Sequence, residues 1–238
     1  MSALKANLMV TPQEIYSTSS TQGTDLGALA TSGDGRYFRY TLAGGTSLVA
    51  GKLQQAKAED TTNEQALTVT NVALGATSVV TTTTVTLAVN LLAGGFMTIN
   101  SATTGAGFTY KIKGNTAATA AVTTFTLEDP IAVATTGTTI VDVKVNPYSA
   151  VVVNPTTATS APVGAAVYNV TNAQYGWVQV HGPCAILADG TVTVGTALVA
   201  SNATAGAVEA LTGVQAPVAL ALTGIATTDY GLVTLLID

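Results

Sequence analysis

The chain has one His and one Cys, and they stand three residues apart in His181-Gly182-Pro183-Cys184. Imidazole and thiolate are zinc ligands, but a metal site wants further ligands of matching type and spacing. No second His or Cys exists, and Asp189 is the nearest candidate for a third donor. The same two residues could form a Cys/His nucleophilic pair if their side chains converged and a third group oriented the base. Nothing beside them resembles a known active-site sequence. The segment therefore reads as a Gly-Pro turn, with His181 half exposed and Cys184 a small buried apolar residue.

Other constellations fail on spacing or on company. Gly45-x5-Gly51-Lys52-Leu53 superficially resembles a phosphate loop, but such a loop needs four residues between its glycines and Ser or Thr after the Lys. It also leads into no helix whose N-terminus could hold phosphate. Gly105-Ala106-Gly107 reads as a hairpin turn. Glu128, Asp129, Asp142 and Asp189 could supply paired carboxylates for glycoside cleavage. Asp129 precedes Pro130 and Asp189 precedes Gly190, which is ordinary turn chemistry. Arg36/Arg39 and Lys111/Lys113 are the nearest approach to basic clusters and read as a solvated face. Trp177 suits a core or an interface equally. No catalytic, cofactor-binding or metal-binding residue is expected, and no enzyme activity.

The elements that position these residues follow from composition. Charged residues are 9% of the 238, aromatics 5%, and the formal net charge is −5. An acidic chain with scattered basic residues is a poor phosphate-backbone binder, so no nucleic-acid partner is expected. No run approaches the ~20 apolar residues of a membrane span, and the mean hydropathy of +0.44 is spread over Ala and Val. One Cys excludes an intrachain disulfide framework. The first sixteen residues show no basic segment followed by an apolar one, so synthesis in a cytosol is expected. Small β-formers with many glycine turns predict an all-β protein, with no amphipathic helix of twelve or more residues. Their small side chains bury little area each, which favours an oligomer.

Along the chain, residues 1–30 are polar and read as an extended N-terminal arm. Residues 31–66 read as a first β-hairpin, Arg36–Tyr40 with Ser47–Leu53, then a charged linker in which Gln54–Asp60 could form a helical turn. Residues 67–155 read as an inserted β-rich module: Phe108, Tyr110 and Ile112 alternate with Thr109, Lys111 and Lys113, and Val141, Val143 and Val145 with Asp142, Lys144 and Asn146. Residues 156–238 read as a C-terminal β-rich module packing with the first hairpin. Both modules are expected to be sandwiches or small barrels. Gly195–Ala200 echoes Gly45–Ala50, as if one strand-turn device appeared twice.

Three stretches carry a resemblance: DGRYFRYTLAGGTSLVAGKL; GAGFTYKIKGN with FTLEDPI and NPYSAVVV; and YGWVQVHGPCAILADGTVTVGTALVAS with AGAVEAL. They look like virion structural proteins of tailed bacteriophages, and are most similar to head decoration, or cement, proteins. The similarity spans residues 34–53 and 94–210. It implies a β-rich subunit, commonly a homotrimer, on the outer surface of an icosahedral head, where it clamps neighbouring major capsid subunits. The family offers no catalytic residues to carry over. A tail or fibre component that binds a host surface is the alternative, although no shaft repeat is present. A major capsid protein would carry a long spine helix, which is not readable here. A tail-associated glycosidase and a bacterial surface domain fit the residues less well.

Overall fold

The computed structural model describes residues 8–100 and 105–238. The chain is nearly all β and divides into two compact units. One comprises residues up to Ala58 together with Pro147–Asp238; the other is Glu59–Asn146.

The first unit opens with β1 (Leu8–Met9), the short helix α1 (Pro12–Ile15), β2 (Leu29–Thr31), β3 (Tyr37–Leu42) and β4 (Leu53–Gln55). Residues 1–7 of the expected arm lie outside the described residues. The rest of it runs along its own unit. Thr11 caps α1: Glu14 N donates to Thr11 Oγ1 at 3.3 Å, and Thr11 N donates to the Glu14 carboxylate at 2.7 Å. Thr11 Oγ1 also donates to that carboxylate at 2.8 Å, and the two bonds it accepts, the backbone one first, favour its charged form and hold its pKa below the ordinary value. The cap aims Ile15 inward, where it is fully buried among Phe38, Tyr40 and Trp177. Trp177 is thus a core residue, edge-on to Tyr40 with ring centroids 5.0 Å apart.

The second unit begins with α2 (Thr61–Glu64) and continues through β5 (Leu67–Thr68), β6 (Ser78–Val80), β7 (Val85–Leu87), β8 (Phe96–Ile99), β9 (Thr109–Asn115), β10 (Ala118–Ala121), β11 (Thr124–Leu127) and β12 (Ile140–Lys144). Six strands lie in the order β5-β12-β8-β9-β11-β6, and β7 pairs separately with β10. The two edges of the six-stranded sheet meet. Thr70 N donates to Val80 O at 2.9 Å and Thr82 N to Thr68 O at 2.7 Å, around a Val69–Thr81 bridge. The sheet therefore closes into a small barrel, with β12 returning beside β8 in Greek-key fashion. The period-two residues Tyr110, Ile112, Val141 and Val143 point inward with Met97, Ile99 and Phe125. Threonine hydroxyls serve backbone groups inside. Thr123 N donates to Thr81 Oγ1 at 3.0 Å, and Thr123 Oγ1 donates to Thr116 O at 2.8 Å.

The first unit resumes with β13 (Val152–Val153), β14 (Pro162–Ala166), β15 (Tyr175–Leu187), β16 (Ala197–Ala200), β17 (Val208–Ala210), β18 (Ala219–Ala221) and β19 (Tyr230–Leu236). These join the opening strands in one curled eleven-stranded sheet, β1-β2-β3-β15-β19-β18-β16-β17, with β4, β13 and β14 branching from β15.

Local readings change in five places. Tyr37–Leu42 pairs with β2 and β15 rather than with residues 47–53. Gly44 serves a close passage of chain instead of a hairpin turn, since a Cβ there would lie 2.3 Å from Ala150 Cα. Leu53–Gln55 is a buried strand between β13 and β14, so the inserted unit starts at residue 59 and ends at 146, not at 67 and 155. The helical turn falls at Thr61–Glu64, because the Asp60 carboxylate accepts from Thr62 N and Asn63 N and so starts a helix instead of ending one. Finally, the Gly195–Ala200 segment contains β16, whereas Gly45–Ala50 contributes a single bridge from Leu48 to Val170.

A fragment spanning residues 59–146 is expected to unfold cooperatively by itself in urea. Phe125→Ala in that fragment should cost about 3–5 kcal/mol, the usual loss for a fully buried ring. Equilibrium denaturation of the two fragments measures both.

Candidate interaction surface

Strand β15 is thirteen residues long and runs straight through His181-Gly182-Pro183-Cys184, where a turn was expected. Three features permit this. Gly182 takes φ +85°, and a Cβ there would sit 2.5 Å from Gly35 O. The register shifts by one residue between Gln179 and His181, as in a β-bulge. The buried Gln179 carboxamide nitrogen donates to the carbonyls of His181, Gly182 and Pro183 at 3.0, 3.2 and 2.7 Å.

Beyond the bulge the strand alternates. Cys184 and Ile186 enter a core with Val233, Leu235, Ala219 and Ala221. Pro183 and Ala185 face outward. His181 and Cys184 therefore point to opposite faces of one strand and do not converge. His181 is half exposed and lies edge-on to Tyr37, with ring centroids 5.8 Å apart. Cys184 Sγ donates to Ala185 O at 3.4 Å, and burial pushes its thiol up to about 12 against a small opposing pull from Arg36. Such a thiol is almost wholly protonated at neutral pH and is a poor nucleophile.

Three of the other carboxylate candidates have structural partners, and Asp129 lies exposed beside Pro130. The Asp189 carboxylate accepts from Ser201 Oγ. Glu128 pairs with Lys111 at 3.1 Å, and Asp142 accepts from Ala66 N at 2.8 Å. Among the described residues, no three His, Cys, Asp or Glu side chains gather as a metal site would require. No helix among them is long and apolar enough to cross a membrane. Arg36 and Arg39 are more engaged than a solvated face would be. Arg36 pairs with Asp34 at 2.8 Å and lies over the Phe38 ring. This pairing holds the Asp34 carboxyl well below the usual range. Arg39 grips Asp238, donates to Gly27 O at 2.8 Å and lies over the Tyr148 ring, tying the last residue to β3.

The outward face of β15, β19 and β18 carries a row of exposed apolar side chains. Cross-strand register places Pro183 opposite Thr234 and Thr234 opposite Leu220; Ala185 lies opposite Leu232, and His181 opposite Leu236. Leu222 N donates to Leu232 O, which brings Leu222 into the same row. Leu220, Leu222, Tyr230, Leu232 and Leu236 are each 37–54% exposed. No Asp, Glu, Lys or Arg occurs on β15, β16, β18 or β19. A cavity of about 420 Å³ adjoins the face, lined among others by Tyr16, Arg36, Val167, Gln179, Tyr230 and Leu232. A second, of about 340 Å³, lies beside α1 against Tyr40, Tyr175 and Trp177.

The leucines of this face were not singled out from the sequence. Their signal is nevertheless present in Tyr230–Leu236, where both parities of the strand are apolar, the pattern of a strand covered on two sides. The chain matches no family model, no curated protein and no solved structure.

Native protein at pH 8 is expected to leave Cys184 unmodified by a thiol-specific chromogenic reagent, with one thiol appearing per chain in denaturant. Rapid labelling of the native state would refute the burial-raised pKa.

Proposed function

We propose that the chain is a virion structural protein of a tailed bacteriophage. In this reading it is a decoration or cement protein that binds the outside of the head as a homotrimer and clamps neighbouring major capsid subunits. One observation carries the proposal: the broad, exposed, charge-free face of β15, β19 and β18, a contact surface with no chemistry in it. The resemblance of residues 34–53 and 94–210 to decoration proteins supplies the particle. Large apolar patches on a soluble chain mark interaction sites. A protein that binds only the assembled shell stabilises it by mass action, and a multivalent subunit does so through linked weak contacts. Residues 8–31 pack on their own unit, so this part of the N-terminal stretch is not a free arm.

Mixing purified protein with undecorated heads tests the proposal. Co-sedimentation at saturable stoichiometry, with a rise in the temperature at which the heads release DNA, is expected. Binding to host cells without binding to heads would replace this reading with the tail-fibre one.

A further inference from the structure

We infer that the cavity beside α1 binds a small methylated ammonium cation, a choline-like group held against Tyr40, Tyr175 and Trp177 and beside the Glu14 carboxylate. The cavity lies within the first unit and shares no residue with the apolar row of β15, β19 and β18. The inference is therefore independent of the functional reading.

Aromatic rings border the cavity in two orientations. Tyr40 and Tyr175 stand parallel to within 6°, with centroids 5.8 Å apart, and the Trp177 ring meets Tyr40 at 64°. A cation set against such rings is attracted by their quadrupoles, most strongly where water is excluded. Tyr40 and Trp177 are also core residues, 6% and 8% exposed, so they back the cavity with dry protein. The loop that follows α1 is sewn to this wall. Gly23 N donates to Tyr40 Oη at 3.0 Å, while Ser19 and Tyr175 exchange backbone bonds at 3.0 and 2.8 Å. The space of about 340 Å³ is at the small end for a ligand pocket.

The polar lining selects the sign of the ligand. Among the described residues, Glu14 is the one charged side chain bordering the cavity. Its bonds to Thr11 fix its place and favour its ionised form. Donors are scarce, because the amides of Val10, Ser17, Ser19 and Gly23 are all spent on oxygens of the chain itself. Ser17 Oγ gives its proton to Glu14 O at 3.0 Å, and Ser19 Oγ gives its own to Thr21 O at 2.8 Å. The wall thus offers a carboxylate and oxygen lone pairs, and an anion would meet no positive charge there. Leu8, Met9 and Val10 complete the lining with apolar surface. That surface suits methyl groups better than a bare ammonium, whose three N–H groups each want an acceptor.

Trp177 is the single tryptophan of the chain, so its fluorescence reads the cavity directly. Choline chloride titrated into the full chain should change that emission saturably, measured against sodium chloride at equal ionic strength. Equilibrium dialysis of labelled choline should give a single site per chain. The uncharged isostere, with carbon in place of the quaternary nitrogen, should bind at least about tenfold more weakly. Glu14→Gln keeps the capping box, and it should weaken choline about tenfold with the circular dichroism unchanged. Tyr175→Leu should do the same; if it fails to fold, Glu14→Gln and the isostere decide. Glu128→Gln, at an exposed carboxylate of the other unit, should leave the affinity unaltered. Co-flotation with phosphatidylcholine vesicles would make a lipid head group the source of the cation, and its absence would leave the free cation. No saturable choline binding, equal affinity for the isostere, or equal loss from Glu14→Gln and Glu128→Gln overturns the inference.

Discussion

The carboxamide of Gln179 lies buried in the bulge of β15, and its two N–H groups are shared among three successive carbonyls. Those carbonyls belong to His181, Gly182 and Pro183, where the main chain bends and a proline has no N–H to give. The three bonds anchor the bulged main chain to a buried side chain of the same strand. The consequence is an unbroken strand where a Gly-Pro pair would ordinarily turn. That strand pairs with β3 before the bulge and with β19 beyond it, so both halves of the first unit hang from it. With a turn at Gly182, β19 would lose its register and the outward leucines would lose their common plane.

The same economy runs through the second unit. Few large side chains are present, and the polar groups that a barrel must enclose are satisfied by threonine. A hydroxyl both donates and accepts, so Thr81, Thr116, Thr123 and Thr135 stitch neighbouring loops to strands without any charge. The buried Asn115 does likewise, donating to Ala88 O and Thr116 O while accepting from Leu92 N. Glu64, wholly buried at the end of α2, is met by Lys144 at 3.4 Å. Thr thus fills positions where a more charged protein would use ion pairs, and the sparse charge is consistent with a stable interior.

Sparse charge has another effect at the surface. Edge strands and open sheet faces are usually guarded by Lys or Glu, which keep copies apart. On β15, β18 and β19 that guard is missing. An unguarded sheet face either aggregates or is covered by a partner. The basic residues that do exist secure the fold. Arg39 fastens Asp238, and Arg36 covers Phe38.

Composition and two-residue alternation by themselves determined the class of fold. Thr109–Asn115 and Ile140–Lys144 could be read as strands because their apolar residues keep a strict parity, and parity is a local property of the chain. The inward positions of Tyr110 and Val141 followed from the same rule; burial of Cys184 was expected from its residue type at a supposed turn, and the strand there buries it instead. Closure of the barrel between β5 and β6 was not legible, since it depends on the two edges of the sheet meeting, which no local pattern marks. Nor was the continuity of β15, at whose bulge the Gln179 side chain hydrogen-bonds three successive carbonyls. The exposed leucines were hidden for a related reason. A strand apolar on both parities reads as buried on both sides, and only the register of β15, β19 and β18 shows that one side faces outward in a single chain. Local chemistry fixes what each segment prefers; which preferences prevail is settled by contacts between segments far apart in the sequence.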